Sequence, residues 1–257
     1  MAIITITSDW KDGGYYLGAL KGAILSISSD IGIVEITNSI PSFDILQEAF
    51  VLKSCFRYFP KDSIHLMCVM SEPSYDAPMV ILYAENHYFI GVNDGRFSHL
   101  FDNMPIICFE ISREKSRFES TFSSLDMFRN GVDIILNNNF EERTIASELK
   151  REVIAGVVSN DDGIVGKILY IDPFGNAITN IEKSLFESIQ KGRSYTIYAR
   201  GPYNKIHRLS KGYRDSAPGA VIAMFNSLGL LELAVNQGNM SELEGLLPSS
   251  EVRIKFN

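Results

Sequence analysis

The sequence predicts an α/β protein: an N-terminal mixed or parallel sheet flanked by helices, followed by a smaller C-terminal antiparallel domain of β-barrel type. Three observations lead there. Up to about residue 140, apolar strand-like runs alternate with segments of helical spacing, the pattern of a sheet with helices packed on it. From Ile164 onward the apolar runs are short and separated by Gly, Pro and Asn, as in small antiparallel barrels. The chain of 257 residues, 46% of them hydrophobic, is large enough to bury one sizeable core or two unequal ones.

The elements follow in order. Ala2 to Thr7 alternates as a first strand, and Tyr16, Ala19, Leu20, Ala23, Ile24 and Ile27 fall at helical spacing between Tyr15 and Ser28. Ile31 to Ile36 returns to a strand. Asp44 is placed to cap a helix carrying Leu46, Ala49, Phe50, Leu52 and Phe56. Ile64 to Met70, Met79 to Tyr83, Tyr88 to Val92 and Ile106 to Ile111 read as further strands, with Glu85-Asn86 as the turn between the second and third of these. A helix from about Ser124 to Leu136 ends at Asn137-Asn138-Asn139. Glu141 to Ile154 reads as charged and weakly helical, and Ser159 to Gly163 as a polar turn. Short strands then follow at Ile164 to Ile171, Tyr195 to Ala199, Ala220 to Phe225, Leu230 to Val235 and Val252 to Phe256. The expected domains are residues 1–150 and 163–257, with the boundary between about 138 and 163 and a ligand crevice between the domains or between neighbouring subunits.

Charge and cysteine use narrow the function class. A net charge of −7 and a pI near 5.2 argue against a nucleic-acid or anionic-membrane surface, which wants a basic face. No basic-then-apolar leader and no apolar run long enough to span a bilayer is found. Cys55, Cys68 and Cys108 lie apart in apolar segments and read as free thiols of a reducing compartment. A cytoplasmic protein is expected. No His, Cys or Asp cluster has metal-ligand spacing, so no metal and no cofactor is expected.

The most informative stretch is Asp172-Pro173-Phe174-Gly175-Asn176. An apolar strand (Ile168 to Ile171) runs into an acid, turns on Pro and Gly, and re-enters an extended segment at Ala177-Ile178-Thr179-Asn180-Ile181. A ring to stack on and an amide to pair with a base edge are what a nucleoside needs. The plain alternative is a hairpin whose Asp and Asn satisfy local backbone groups. Asn226-Ser227-Leu228-Gly229-Leu230-Leu231-Glu232-Leu233-Ala234-Val235-Asn236 has the same character.

Together with Thr7-Ser8-Asp9 and Tyr16-Leu17-Gly18-Ala19-Leu20-Lys21-Gly22, these stretches resemble the S-adenosylmethionine hydroxide adenosyltransferases, a family that also contains the adenosyl chloride and fluoride synthases. The resemblance runs in one order over nearly the whole chain. It implies the two-domain fold described above, a homotrimer with sites between subunits, and S-adenosylmethionine as substrate. It implies that Asp9 grips both ribose hydroxyls, that Phe43 forms a wall around sugar and sulfonium, that Phe174 and Asn176 stack on and pair with adenine, and that Asp172 meets the methionine part. From the residues themselves, Asp9 directly follows a strand, where α/β folds bind ligands, yet it also fits a turn or N-cap. Phe43 fits a hydrophobic staple ahead of Asp44. Asp172 suits an ammonium partner. Ser227, after Asn226, can donate to a carboxylate or close an ST-turn. Glu232, between core residues Leu231 and Leu233, is expected to face out of the barrel toward ligand or solvent. Asn93-Asp94-Gly95 reads as a structural turn, with Asp94 capping a short helix.

Two places depart from the family pattern. Hydrolysing members place an Asp and an Arg in a Gly-rich loop after the third strand and a His after a Thr-Phe pair. Here the loop reads Ser71-Glu72-Pro73-Ser74-Tyr75-Asp76-Ala77-Pro78, without Arg or Gly, and Thr121-Phe122 is followed by Ser123 and Ser124. Three readings stand open. Glu72 with Ser123 or Ser124 orients a water, giving adenosine and methionine; Ser124 donates to a halide, against the repulsion of Glu72; or the chain binds an adenosyl ligand without turning it over. The first is the leading expectation. A scaffold that binds no small ligand is a further alternative.

Overall fold

The computed structural model describes residues 2–101, 106–112, 121–152, 156–200 and 204–257. It divides into two compact units, Met1–Ile154 and Ala155–Asn257. The N-terminal unit runs β1 (Ala2–Thr7), α1 (Tyr16–Leu25), β2 (Ile31–Thr37), α2 (Ile45–Cys55), β3 (Ile64–Met67), β4 (Met79–Ala84), β5 (His87–Val92), β6 (Ile107–Ile111), α3 (Ser123–Asn137), α4 (Phe140–Arg143) and β7 (Thr144–Ala146). Its sheet has the order β2-β1-β3-β5-β4-β6-β7. Strands β2, β1, β3 and β5 pair in parallel, and β4, β6 and β7 add antiparallel partners.

Period-two alternation divides the apolar side chains between the two faces of this sheet. Leu66, Ile81 and Ile90 pack with Leu20 and Ile24 of α1 and Met127, Phe128 and Val132 of α3. Their neighbours Met67, Val80, Leu82 and Phe89 pack with Ala49 and Leu52 of α2 and with Phe56 and Phe97. Both faces are therefore covered, as a mainly parallel sheet requires. The Asp44 carboxylate caps α2 by accepting the Gln47 N–H at 2.9 Å. Glu85 and Asn86 turn the β4–β5 hairpin with φ of 51° and 62°, the paired left-handed residues of a two-residue hairpin loop.

The structure departs from two sequence-based expectations. The third strand stops at Met67 instead of Met70, because Met70 takes a left-handed φ of 45° and the Val69 and Met70 carbonyls turn to a buried Arg96. The expected weak helix over Glu141–Ile154 is one helical turn, α4, followed by β7 on the sheet edge. Asn93 then straps residues 148–150, donating to the Glu148 carbonyl and accepting the Lys150 N–H, both at 2.9 Å. Residues 153 and 154 lie outside the described residues. Among the described residues no helix is long and apolar enough to cross a membrane.

His65 sits in the middle of this sheet with both ring nitrogens engaged: Thr5 Oγ1 at 2.7 Å and His87 Nδ1 at 3.1 Å. Burial, with the neighbouring His87, lowers its pKa to about 3. A histidine held neutral in the fold stabilises it fully above the unfolded value near 6.5. That contribution is lost as pH falls from there toward 3, because the unfolded chain takes up the proton first. Urea midpoints measured from pH 7 to pH 4 are expected to fall by the equivalent of about 2–4 kcal/mol. The His65→Gln variant should show a shallower acid slope than the wild type; equal slopes refute the assignment.

The C-terminal unit runs β8 (Val158–Asn160), β9 (Gly163–Ile171), β10 (Ala177–Glu182), α5 (Lys183–Gln190), β11 (Tyr195–Tyr198), β12 (Lys205–Ile206), β13 (Val221–Phe225), β14 (Leu230–Val235), α6 (Met240–Glu244) and β15 (Glu251–Phe256). The antiparallel order is β12-β11-β15-β9-β10-β14-β13, with β8 folded back on β9. The sheet curls until its end strands meet, and Ser210, just after β12, donates its N–H to Ala223 of β13 at 2.8 Å. That makes it a nearly closed barrel. Helix α5 was not expected from the sequence. It carries Leu185, Phe186 and Ile189 into the barrel core, with Phe186 edge-on to Tyr195 at 5.1 Å.

Candidate functional site

In the N-terminal unit the candidate residues gather where β1 and β3 end. The two strands are parallel neighbours, with Thr7 opposite Met67 and the Cys68 N–H donating to the Thr7 carbonyl at 2.8 Å. Asp9 follows β1 by two residues. Its Oδ2 accepts the Phe43 N–H at 3.0 Å. Phe43 is no staple: it stands 72% exposed on a left-handed backbone with φ of 70°. A bulky side chain in that conformation is strained, and such strain collects at ligand sites. The carboxylate of Asp9 thus holds a strained aromatic residue in place.

Glu72 leaves β3 and reaches the start of α3. Ser123 Oγ donates to its Oε2 at 2.5 Å and Ser124 Oγ to its Oε1 at 3.2 Å. The Ser71 hydroxyl, buried, donates to Ser124 Oγ at 3.2 Å. The structure therefore joins the three residues expected to act on the nucleophile and adds Ser71 of the same loop. Trp10, next to Asp9, packs edge-on to Phe122, next to Ser123, with centroids 5.6 Å apart, and Tyr16 of α1 meets the same ring at 5.0 Å. This aromatic cluster carries the ends of β1 and α3 together, and so puts Asp9 and the Glu72 group on one edge of one sheet. Thr7 Oγ1 and Ser8 Oγ, beneath them, are buried without a hydrogen-bond partner among the described residues. The four histidines lie elsewhere: His65 and His87 pair in the core, His99 meets Glu152 at 3.1 Å, and His207 meets Thr196 at 3.2 Å.

In the C-terminal unit the two singled-out stretches prove to be the same loop built twice. Asp172 N–H donates to the Asn176 carbonyl at 3.0 Å and Gly175 N–H to the Asp172 carbonyl at 2.9 Å; Asn226 N–H donates to Leu230 at 3.0 Å and Gly229 N–H to Asn226 at 2.9 Å. Each first residue closes its loop with its side chain. Asp172 Oδ1 accepts from Phe174 and Asn176, both at 2.9 Å, and Asn226 Oδ1 from Leu228 and Leu230 at 3.0 and 3.2 Å. Gly175 and Gly229 take φ of 80° and 73°. These are three-residue hairpin loops with glycine in the left-handed position.

Between them runs a polar network. Asn176 Nδ2 donates to Asp172 Oδ2 at 2.9 Å and approaches the Tyr213 hydroxyl at 3.5 Å. The Tyr213 hydroxyl donates to Glu232, and Asn226 Nδ2 donates to Glu232 Oε2 at 3.3 Å. Glu232 is 3% exposed: as expected it faces away from the barrel core that holds Leu231 and Leu233, but Tyr213 covers it and keeps it from solvent. Burial, followed by the hydrogen bond to Glu232, drives the Tyr213 phenol pKa far up, so it remains a donor. Phe174 stands 77% exposed at the loop tip, an open ring face beside the buried Asn176 carboxamide. Ser227 is exposed at the tip of the other loop, whose closure belongs to Asn226. Tyr213 had no sequence signal, since it sits in a short 3-10 turn between Gly212 and Asp215 with no periodicity around it.

Among the described residues no group of three or more His, Cys, Asp or Glu is gathered as metal ligands would be. The three cysteines are free.

Known proteins resemble this chain along nearly its whole length. Residues 4–141 match the SAM hydroxide adenosyltransferase N-terminal domain and residues 166–253 the C-terminal domain. It is 27% identical to the (R)-S-adenosyl-L-methionine hydrolase of Methanocaldococcus jannaschii, over 99% of this chain and 96% of that one. The enzymes of that name from Salinispora arenicola and Thermus thermophilus are each 23% identical, over 98% and 99% of this chain and 97% and 100% of theirs. Among solved structures, an uncharacterized conserved protein from Thermotoga maritima superposes with a TM-score of 0.83 at 22% identity, covering 98% of this chain and 99% of that one. A conserved hypothetical protein from Thermus thermophilus gives 0.74 at 18% identity over the full length of both. With both domain matches falling in order along the two units, this chain belongs to the SAM hydroxide adenosyltransferase family.

Proposed function

We propose that this protein hydrolyses S-adenosylmethionine to adenosine and methionine, with Glu72 as the group that orients and deprotonates the water. The observation that carries this reading is the Glu72–Ser123–Ser124 cluster on the same sheet edge as Asp9, in a chain related throughout its length to S-adenosylmethionine hydrolases. Water attacks the ribose C5′, the C5′–S bond breaks, and methionine leaves with the electron pair on its sulfur. The water proton passes to the Glu72 carboxylate. The sulfonium is already a good leaving group and needs no acid, so the site's work is to align the water and exclude competing solvent. Ser123 and Ser124 act by holding the carboxylate in one orientation.

The remaining residues bind. Asp9 accepts from the ribose diol through charge-assisted hydrogen bonds, with Phe43 walling the sugar. Phe174 stacks on adenine, and Asn176, held by Asp172 and Tyr213, pairs with its edge. Asp172 and Ser227 receive the amino-acid part, and Asn226 and Glu232 brace the loops. Halide as the nucleophile is disfavoured, since both serine hydroxyls donate to a carboxylate that repels an anion. A cytoplasmic homotrimer is the proposed working form, which light scattering and cell fractionation test.

S-Adenosylmethionine is expected to raise the melting temperature of the wild type by several degrees at saturating concentration. Asp9→Ala and Asn176→Ala should each abolish most of that rise, and product chromatography of the wild type should show adenosine whose yield does not depend on chloride. A ligand-dependent rise without adenosine supports a binding protein instead. No rise in the wild type removes the adenosyl ligand from the reading.

A further inference from the structure

Arg96 is fully buried, and its guanidinium has no free donor. Nε and one Nη donate to Asp94 Oδ1 and Oδ2 at 2.9 and 2.7 Å. The other Nη donates to Glu48 Oε2 at 2.9 Å and to the Val69 carbonyl at 2.7 Å, while the Met70 carbonyl takes the fifth N–H at 3.1 Å. Glu48, also fully buried, accepts the Val69 N–H on Oε1 at 2.9 Å. Three polar groups of the backbone at Val69 and Met70 are therefore gripped by one buried ion cluster. The next two residues are Ser71 and Glu72, and both belong to the serine–carboxylate group.

Stability alone gives little reason to bury these ions. Well-packed apolar residues of similar volume often stabilise a fold as well or better, whereas a buried ion pair serves best where geometry must be fixed. The geometry fixed here is the exit from β3. Met70 is held in the left-handed region, and a planar fork is needed to reach two carbonyls and two carboxylates at once; the single ammonium of lysine cannot do this.

We infer, resting on the reading of Glu72 given above, that Arg96 is a positioning residue for hydrolysis. Through its hold on the Val69 and Met70 carbonyls it sets the direction in which Ser71 and Glu72 leave the sheet. It thereby aims the carboxylate at the water, and takes no part in holding the nucleoside.

The test is a cycle of Arg96→Lys, Glu72→Gln and the double variant, with kcat from adenosine formation and affinity from calorimetry with S-adenosylmethionine. Arg96→Lys is expected to lower kcat about 10–100-fold while affinity stays within about threefold. On the Glu72→Gln background it should lower the remaining rate less than about twofold, since the carboxylate it aims is already gone. Equal losses on both backgrounds, a kcat within twofold of wild type, or affinity falling together with kcat each overturn the assignment. Should Arg96→Lys fold poorly, Asp94→Asn loosens one arm of the cluster and should show the same split. Amide exchange over residues 71–78 provides a readout independent of turnover: faster exchange in Arg96→Lys supports the hold and unchanged exchange overturns it. A wild type that yields no adenosine instead removes the reading of Glu72, leaving exchange to judge the grip by itself.

Discussion

Glu72→Gln is expected to lower adenosine formation about 10²–10⁴-fold, the range for removing a positioned proton acceptor, with S-adenosylmethionine affinity within about threefold of wild type. Gln keeps the size and planarity of the side chain but replaces one carboxylate oxygen by an NH2 that cannot accept. The Ser123 and Ser124 hydroxyls now donate to two separate oxygens, so the amide leaves one of them facing a donor and cannot take the water proton. Steady-state product release gives kcat and calorimetry gives affinity. A rate within tenfold of wild type means that Glu72 does not carry the proton, and the hydrolytic reading then loses its base. Ser123→Ala should cost less, about 10-fold, because the carboxylate survives and only its orientation loosens.

The strands and most helices were legible in the sequence because burial enforces their period. The split of Leu66 from Met67 and of Ile81 from Val80 and Leu82 between the two faces is the sheet alternation itself. What escaped was set by long-range contacts. Nothing local shows that Met70 will end β3, since the cause is an arginine 26 residues away in sequence. Helix α5 is two turns long, too short for its apolar spacing to stand out, and is fixed by Phe186 entering the barrel core. Among the candidate residues, the Asp172 and Asn226 loops were legible because turn chemistry has a sequence signature, and Asp9 because it directly follows a strand. Glu232 lies on the face that its alternation with Leu231 and Leu233 indicates, but alternation does not reveal that Tyr213 covers it there. Tyr213 and Ser71 join their clusters only in three dimensions.

Gly175→Ala tests the adenine loop, and Gly229→Ala is its internal control. Both glycines occupy the left-handed position of the same three-residue loop, with φ of 80° and 73°. An alanine in that region costs roughly 1–2 kcal/mol in either loop. The surroundings differ. A Cβ at Gly229 meets nothing within 4 Å, whereas one at Gly175 would lie 2.0 Å from Asn239 Oδ1. That carboxamide caps α6 by accepting the Glu242 N–H at 3.0 Å, and the Gly175 carbonyl accepts the Ser241 N–H at 2.9 Å. The Asn239 side chain can swing away only by giving up the cap, which adds about 1 kcal/mol. Gly175→Ala should therefore destabilise by about 2–3 kcal/mol, roughly 1 kcal/mol more than Gly229→Ala. It should also weaken S-adenosylmethionine binding at least about tenfold, because Phe174 and Asn176 shift with the turn. The excess over the control should vanish on an Asn239→Ala background, where the crowding atom and the cap are already gone. Urea midpoints for the four variants measure this directly. Equal destabilisation by the two alanines, or an excess that persists without Asn239, would mean that the loop carrying Phe174 is not braced by α6.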